Sequence, residues 1–142
     1  MNIRPYQEAD EAAVIALWRE AFPNEPAHNV PAEVIRRKLA VQRELFLVAE
    51  VGGTVAGTVL AGYDGHRGWL HKVAVAAAHR RKGIGSALVR RAERDLRAAG
   101  CPKINLQVRA SNAGVVAFYE QLGYAVEAIV SLGKRLDAGP PA

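Results

Sequence analysis

The sequence predicts an α/β domain built on one mixed sheet, mostly antiparallel with a single parallel pair. Three observations predict it. Three strand-like runs, at 45–51, 54–63 and 69–75, are joined by the tight turns Gly52-Gly53 and 64–68, which makes an antiparallel meander. A long run from Ile84 then carries Leu88, Ala92, Leu96 and Ala99 on one stripe, the pattern of an amphipathic helix. An alternating run at 103–108 follows that helical crossover, so it is expected to lie parallel to the 69–75 strand.

The remaining elements follow in order. Ile3 opens a short edge strand that Pro5 stops, and Asp10 or a neighbour caps a helix with Val14, Leu17, Trp18 and Ala21 at helical spacing. Trp18 reads as core. Residues 23–31 hold three prolines, two asparagines and His28 and read as a loop, after which Pro31 suits the first turn of a second helix. Gly100 closes the long helix. Ser111 or Asn112 caps a short helix over 113–122, ended by Gly123, and 124–132 reads as a last strand. No internal repeat or long linker divides the chain. The expectation is one domain over 1–136 and a proline-containing tail over 137–142.

Composition bounds the function classes. At 142 residues the chain is long enough for its own core. No stretch approaches the ~18 apolar residues of a membrane span, and the N-terminus has no apolar signal region, so no membrane partner and a cytoplasmic location are expected. Cys101 is the only cysteine, which rules out an intrachain disulfide and fits a reducing compartment. It reads as buried rather than reactive, and no metal-ligating cluster stands out. The net charge is +5, and residues 80–97, with seven basic and two acidic side chains, carry the same net charge as the whole chain. A local basic field suits a multiply charged phosphate ligand. Nucleic acid is the competing partner, but the chain lacks a recognition-helix motif and an aromatic series on a strand face, so no nucleic acid is expected. Arg90, Arg94 and Arg97 read as a solvated outer face.

The turn between the third strand and the long helix is the chemically informative stretch. Helix N-termini present N–H groups without intrahelical partners and a positive dipole end. Gly83 and Gly85 leave the backbone open to close approach. This is an anion cradle, and phosphate is the anion it fits. It lacks the Gly-Lys-Ser/Thr ending of a P-loop and any Gly-x-Gly-x-x-Gly, which disfavours both Mg-nucleotide and dinucleotide chemistry.

What it does match is Arg/Gln-x-x-Gly-x-Gly/Ala, here Arg80-Arg81-Lys82-Gly83-Ile84-Gly85, straight after a strand ending Val73-Ala74-Val75. A second motif pairs Asn112 with Phe118-Tyr119-Glu120-Gln121-Leu122-Gly123-Tyr124. In these motifs and in its element order the chain resembles the GNAT superfamily of N-acetyltransferases. The stretches Gly62-Tyr63-Asp64-Gly65-His66-Arg67-Gly68 and Ser131-Leu132-Gly133-Lys134-Arg135 look like those of a small single-domain bacterial subgroup.

The resemblance implies a GNAT-like acyl-CoA N-acyltransferase fold whose parallel pair splays. It also implies direct transfer of acetyl from acetyl-CoA, as co-substrate, to an amine acceptor in a ternary complex. The acceptor would be a small-molecule amine, a protein N-terminus or a lysine. By resemblance, the backbone of Val73, Ala74 and Val75 holds the pantetheine arm. The turn of Arg80, Arg81, Lys82, Gly83, Ile84, Gly85 and Ser86 holds the pyrophosphate, Asn112 steadies the arm, and Tyr119 is the general acid at sulfur. No metal is implied, and because family members often dimerise a homodimer is allowed. A phenol with a pKa near ~10 is protonated at neutral pH and can donate to a thiolate, which supports Tyr119 on chemical grounds. For the general base, His71 has a useful pKa range. Asp64, His66 and Glu50 are alternatives, and His71 as an ordinary strand residue remains open. The alternative function is a non-catalytic acyl-CoA-binding or regulatory module, against which Tyr119 argues.

Overall fold

The computed structural model describes residues 1–137. Residues 138–142, most of the expected tail, lie outside the described residues. The described chain divides into two compact units, Met1–Gln107 and a second beginning at Val108.

In the first unit, β1 (Asn2–Pro5), β2 (Phe46–Val51), β3 (Thr54–Tyr63), β4 (Gly68–Val75) and β5 (Ile104–Leu106) form one sheet in the order β1-β2-β3-β4-β5. Neighbours are antiparallel except β4 and β5, which are parallel. The meander turn at Gly52-Gly53 takes positive φ at both residues, 57° and 78°, which glycine adopts without steric penalty. The parallel pairing covers only Gly68↔Ile104, Trp69↔Asn105 and Leu70↔Leu106. The rest of β4, 71–75, has no β5 partner. β5 is shorter than the expected 103–108 strand and ends at Leu106.

Helices cover both faces. On one, α1 (Glu11–Ala21) and α2 (Pro31–Leu39) bury Val14, Leu17, Trp18 and Ile35 with Tyr6, Phe46, Val48, Leu60 and Ala74 of the strands and their ends. The Tyr6 and Phe46 rings stack at 4.4 Å, and Trp18 stacks on Phe46 at 6.0 Å. On the other face lies α3 (Ile84–Ala98), whose Ile84, Leu88, Ala92 and Leu96 stripe is buried as its period requires. Two glycines permit the close fit. A Cβ on Gly57 would stand 2.9 Å from Leu88 Cδ1, and one on Gly68 would stand 2.7 Å from Cys101 Sγ. Bulk at Gly57 would push the start of α3 off the sheet.

Two details differ from the sequence reading. Asp10 stands at the N-cap position of α1 but its side chain does not bond the first turn of that helix; a 3₁₀ turn precedes the helix, and Asp10 Oδ2 accepts the Gln7 N–H at 2.8 Å. Asp10 also takes a two-pronged contact from Arg4 at 2.8 and 2.9 Å, and this pairing fixes the carboxylate away from the helix start. In the second unit, α4 (Ala113–Gln121) forms as expected, with Asn112 as its cap. The strand expected over 124–132 does not form; that span is irregular, and Val126, Ile129 and Val130 are 76%, 75% and 81% exposed. A strand is specified by having one face buried, and neither face of this span is.

Candidate functional site

The site begins with a break in β4. The β3–β4 register runs Thr58↔Ala74 and then Leu60↔His71, so Lys72 and Val73 together oppose Val59. This is a β-bulge, and a bulge bends the strand that carries it. Lys72 takes a φ of 54°, in the left-handed region that costs a non-glycine residue about 1–2 kcal/mol. Its surroundings hold it there. The Lys72 carbonyl accepts from the Thr58 hydroxyl at 2.8 Å, and the Thr58 oxygen accepts from Trp18 Nε1 at 2.9 Å. The Lys72 ammonium pairs with Glu25 at 3.2 Å and lies 4.7 Å above the centre of the Phe22 ring.

The last backbone groups of β4 follow this bend. The Ala76 N–H bonds the Ala56 carbonyl of β3 at 2.8 Å. N–H groups alternate in direction along a strand, so that of Val75 faces the opposite edge, where β5 has ended.

Next comes the turn into α3. Arg80 Nε donates to the Val75 carbonyl at 3.3 Å, so this guanidinium braces the end of the strand. Arg81 and Gly83 take positive φ, 63° and 78°, which coil the chain tightly before the helix. The Ala87 N–H to Gly83 carbonyl bond at 3.0 Å begins the helical ladder, leaving the N–H groups of Ile84, Gly85 and Ser86 ahead of it. A Cβ built on Gly83 meets nothing within 4 Å. Arg81 and Lys82 are exposed beside it. Unladdered N–H groups, a helix N-terminus and two cations are a donor set that suits a phosphate ester. His79 Nδ1, just ahead of the turn, is buried and has no hydrogen-bond partner among the described residues.

Beside the bulge, on the α2 face of the sheet, is a cavity of about 300 Å³. Lys38, Gln42, Tyr63, Asp64, Trp69 and His71 supply its polar and aromatic lining. The His71 ring stays accessible to solvent yet stands in a concave wall, stacked 6.5 Å from Trp69. The surrounding protein lowers its pKa below the ordinary histidine value, and the nearby Lys38 and Lys72 charges add to the shift. The shift favours the neutral ring at neutral pH. The other base candidates are engaged elsewhere. Glu50 pairs with Arg4 at 2.9 Å on β2. Asp64 Oδ1 accepts the N–H groups of His66 and Arg67, each at 2.8 Å, and so builds its own turn. His66 is exposed and does not line the cavity.

Within the second unit, Asn112 Oδ1 accepts the Val115 N–H at 3.3 Å and caps α4. Tyr119 is 8% exposed. It meets Phe118 and Tyr124 edge-on, with ring centres 4.9 and 5.7 Å apart. Burial pushes its hydroxyl pKa up to about 12, so it is fully protonated at neutral pH.

The structure thus gathers His71, Val73, Ala74, Val75 and the 80–86 turn into the first unit, and places Asn112 and Tyr119 in the second. Sequence reasoning missed Thr58, Lys72, Lys38 and Gln42. Lys72 left a signal, a cation in an otherwise apolar strand, which marks a break in alternation. Lys38 and Gln42 left none, because they reach β3 only through the fold, by bonds to the Ala61 carbonyl and to both backbone groups of Tyr63.

Known proteins share the family and the fold of this chain. The family described as "Acetyltransferase (GNAT) family" matches residues 11–124. An acetyltransferase of Yersinia pestis (strain Pestoides F) is 46% identical over 136 residues, covering 96% of each chain. An acetyltransferase of Pectobacterium atrosepticum is 46% identical with the same coverage. Among solved structures, an aminoglycoside 6'-N-acetyltransferase from Acinetobacter haemolyticus superposes with a TM-score of 0.79 at 23% identity, covering 96% of this chain and 100% of that one. The ribosomal-protein-S18-alanine N-acetyltransferase of Escherichia coli gives 0.72 at 24% identity, covering 86% and 76%. With a matched family spanning most of the sequence and relatives of near-equal length, the chain belongs to the GNAT family of acetyltransferases.

Proposed function

We propose that the chain transfers an acetyl group from acetyl-CoA directly to a primary amine in a ternary complex, with residues 1–136 working as one domain. The observation that carries this is the half of β4 left without a β5 partner, leading straight into a turn of unladdered N–H groups. When bound, the thioester supplies the acetyl group and a thiolate leaving group. Each residue then has a task set by its chemistry. The backbone of Val73, Ala74 and Val75 binds the extended arm by strand-like hydrogen bonds. The N–H groups and cations from Arg80 to Ser86 neutralise phosphate charge. The Val75 or Val73 N–H polarises the carbonyl under attack. His71, whose lowered pKa favours the neutral ring, accepts the proton of the acceptor amine. Asn112 steadies the arm, and Tyr119 donates a proton to sulfur. The acceptors are amines rather than nucleic acid.

Two measurements on the full chain test this reading. Calorimetry should show acetyl-CoA binding at one site per chain, and an amine panel should release free coenzyme A. Binding without release from any amine would convert the assignment to a coenzyme-binding module. Absence of binding would remove it.

A further inference from the structure

We propose that the cavity beside His71 receives the acceptor, and that the acceptor is a small amine carrying a carboxylate and an apolar body, of the free hydrophobic α-amino acid kind. The proposal rests on the acetyl-transfer reading above and names its acceptor class.

Position comes first. His71 follows the last parallel pair, Leu70↔Leu106, so the cavity wall ends where β5 leaves β4. An amine held against His71 stands beside the unpaired half of the strand. The volume, about 300 Å³, suits one small molecule.

Charge comes next. The half-buried Lys38 donates to the Ala61 carbonyl at 2.6 Å. That carbonyl lies beyond the end of the β2–β3 ladder, whose last pair is Phe46↔Leu60, so Lys38 covers a strand group the sheet leaves open. An ammonium has three donors, and this contact uses one. The charge of Glu44 acts on Lys38, but among the described residues no carboxylate forms an ion pair with it. Its desolvation depresses its pKa, and an arriving carboxylate would offset that cost. The one acid on the rim, Asp64, is exposed and already accepts two N–H groups of its own turn. The interior therefore offers one cation with no ion-pair partner and an imidazole whose lowered pKa favours the neutral ring. A polycationic acceptor would meet repulsion there, whereas a carboxylate finds its counter-charge. Val41, Leu60 and Trp69 form the apolar wall for the rest of the molecule.

The test compares each acid with its own amide. With acetyl-CoA saturating, phenylalanine, leucine and methionine are assayed against their amides and against spermidine. The acids should exceed the amides in kcat/KM by about tenfold or more, the range of one charged hydrogen bond. Lys38→Gln keeps a donor for Ala61 and removes the charge; it should erase the preference while acetyl-CoA affinity stays within about twofold. A second readout needs no turnover. Titrating the free protein with N-acetylphenylalanine should shift the His71 ring resonances at lower concentration than N-acetylphenylalaninamide does. The proposal is overturned if amides or spermidine are preferred, if Lys38→Gln keeps the acid preference, or if neither compound moves His71. Should Lys38→Gln not fold, the acid and amide comparison on the wild type decides alone. Failure of the wild type to bind acetyl-CoA would strike the acetyl-transfer reading, while the His71 titration still judges the cavity.

Discussion

The Thr58 hydroxyl donates to the Lys72 carbonyl at 2.8 Å, and this bond ties the buried face of β3 to the left-handed residue of β4. Thr58 is fully buried, and its oxygen also receives Trp18 Nε1. One side chain thus links α1, β3 and the bulge that bends β4 at the proposed coenzyme edge.

Thr58→Val keeps the shape and removes both bonds, leaving a buried indole N–H and a bulge carbonyl without their partner. The expected loss is about 1–3 kcal/mol per unsatisfied group. Acetyl-CoA should also bind more weakly, because the strand is no longer held in its bend. Thr58→Ser restores the hydroxyl and should recover coenzyme affinity, even though the lost methyl costs some stability. Denaturation curves and calorimetry on the three proteins check this. Equal coenzyme affinity in wild type and Thr58→Val would separate the hydrogen-bond chain from binding.

Gly83 tests the cradle. Its φ of 78° suits glycine, and a Cβ there would meet nothing within 4 Å. Gly83→Val should abolish measurable acetyl-CoA affinity and cost about 1–2 kcal/mol of stability from backbone strain alone. Arg90→Ala and Arg94→Ala, both on the exposed side of α3, should change affinity little, since exposed charges contribute about 0–1 kcal/mol. Calorimetry ranks the three.

The Arg4–Asp10 contact makes stability depend on pH in acid. The Arg4 hydrogen bonds hold the Asp10 carboxyl below its ordinary range, against an opposing effect of burial. With the folded pKa depressed, the unfolded chain binds the proton first as pH falls. The contribution is therefore complete above the unfolded value of about 4 and is lost as pH drops through the folded one. Asp10→Asn should lower stability at pH 7 and flatten the curve below about pH 4. Urea denaturation from pH 2 to 7 measures both effects. A mutant curve parallel to wild type through the acid range would remove Asp10 from the account.

How much of this was legible in the sequence follows from the range of each interaction. Local signals carried the meander, the α3 stripe and the turn before α3, because glycine turns, period 3.6 and a helix N-terminus are written within a few residues of each other. The parallel pair was legible because a helical crossover dictates strand direction. The Thr58–Trp18 bond joins positions 40 apart, and Lys38 reaches Ala61 across 23. No local pattern encodes such pairs. The 124–132 strand failed for the complementary reason: the sequence supplied β-forming residues, but a strand also needs a face to bury, and Val126 and Val130 stay exposed. Asn112 was legible in one role, as a helix cap, because that role is local; its proposed hold on the coenzyme arm came only from resemblance.

Tyr119 separates a catalyst from a binding module. Its hydroxyl is proposed to protonate the departing thiolate, and burial, by raising its pKa to about 12, ensures that it carries the proton at neutral pH. Tyr119→Phe keeps the ring and its edge-on contacts with Phe118 and Tyr124 and removes one donor. A general acid contributes about 10²–10⁴-fold. The proton is needed as the carbon–sulfur bond breaks, so the loss should fall on kcat, with acetyl-CoA affinity little changed. A purely structural hydroxyl would behave differently, costing about 0.5–1.5 kcal/mol of stability and leaving turnover nearly intact. The measurement pairs kcat on a competent amine with acetyl-CoA affinity for wild type and Tyr119→Phe. Where chemistry limits the rate, a kcat within a few-fold of wild type would take Tyr119 out of the mechanism and leave protonation of the thiolate to water.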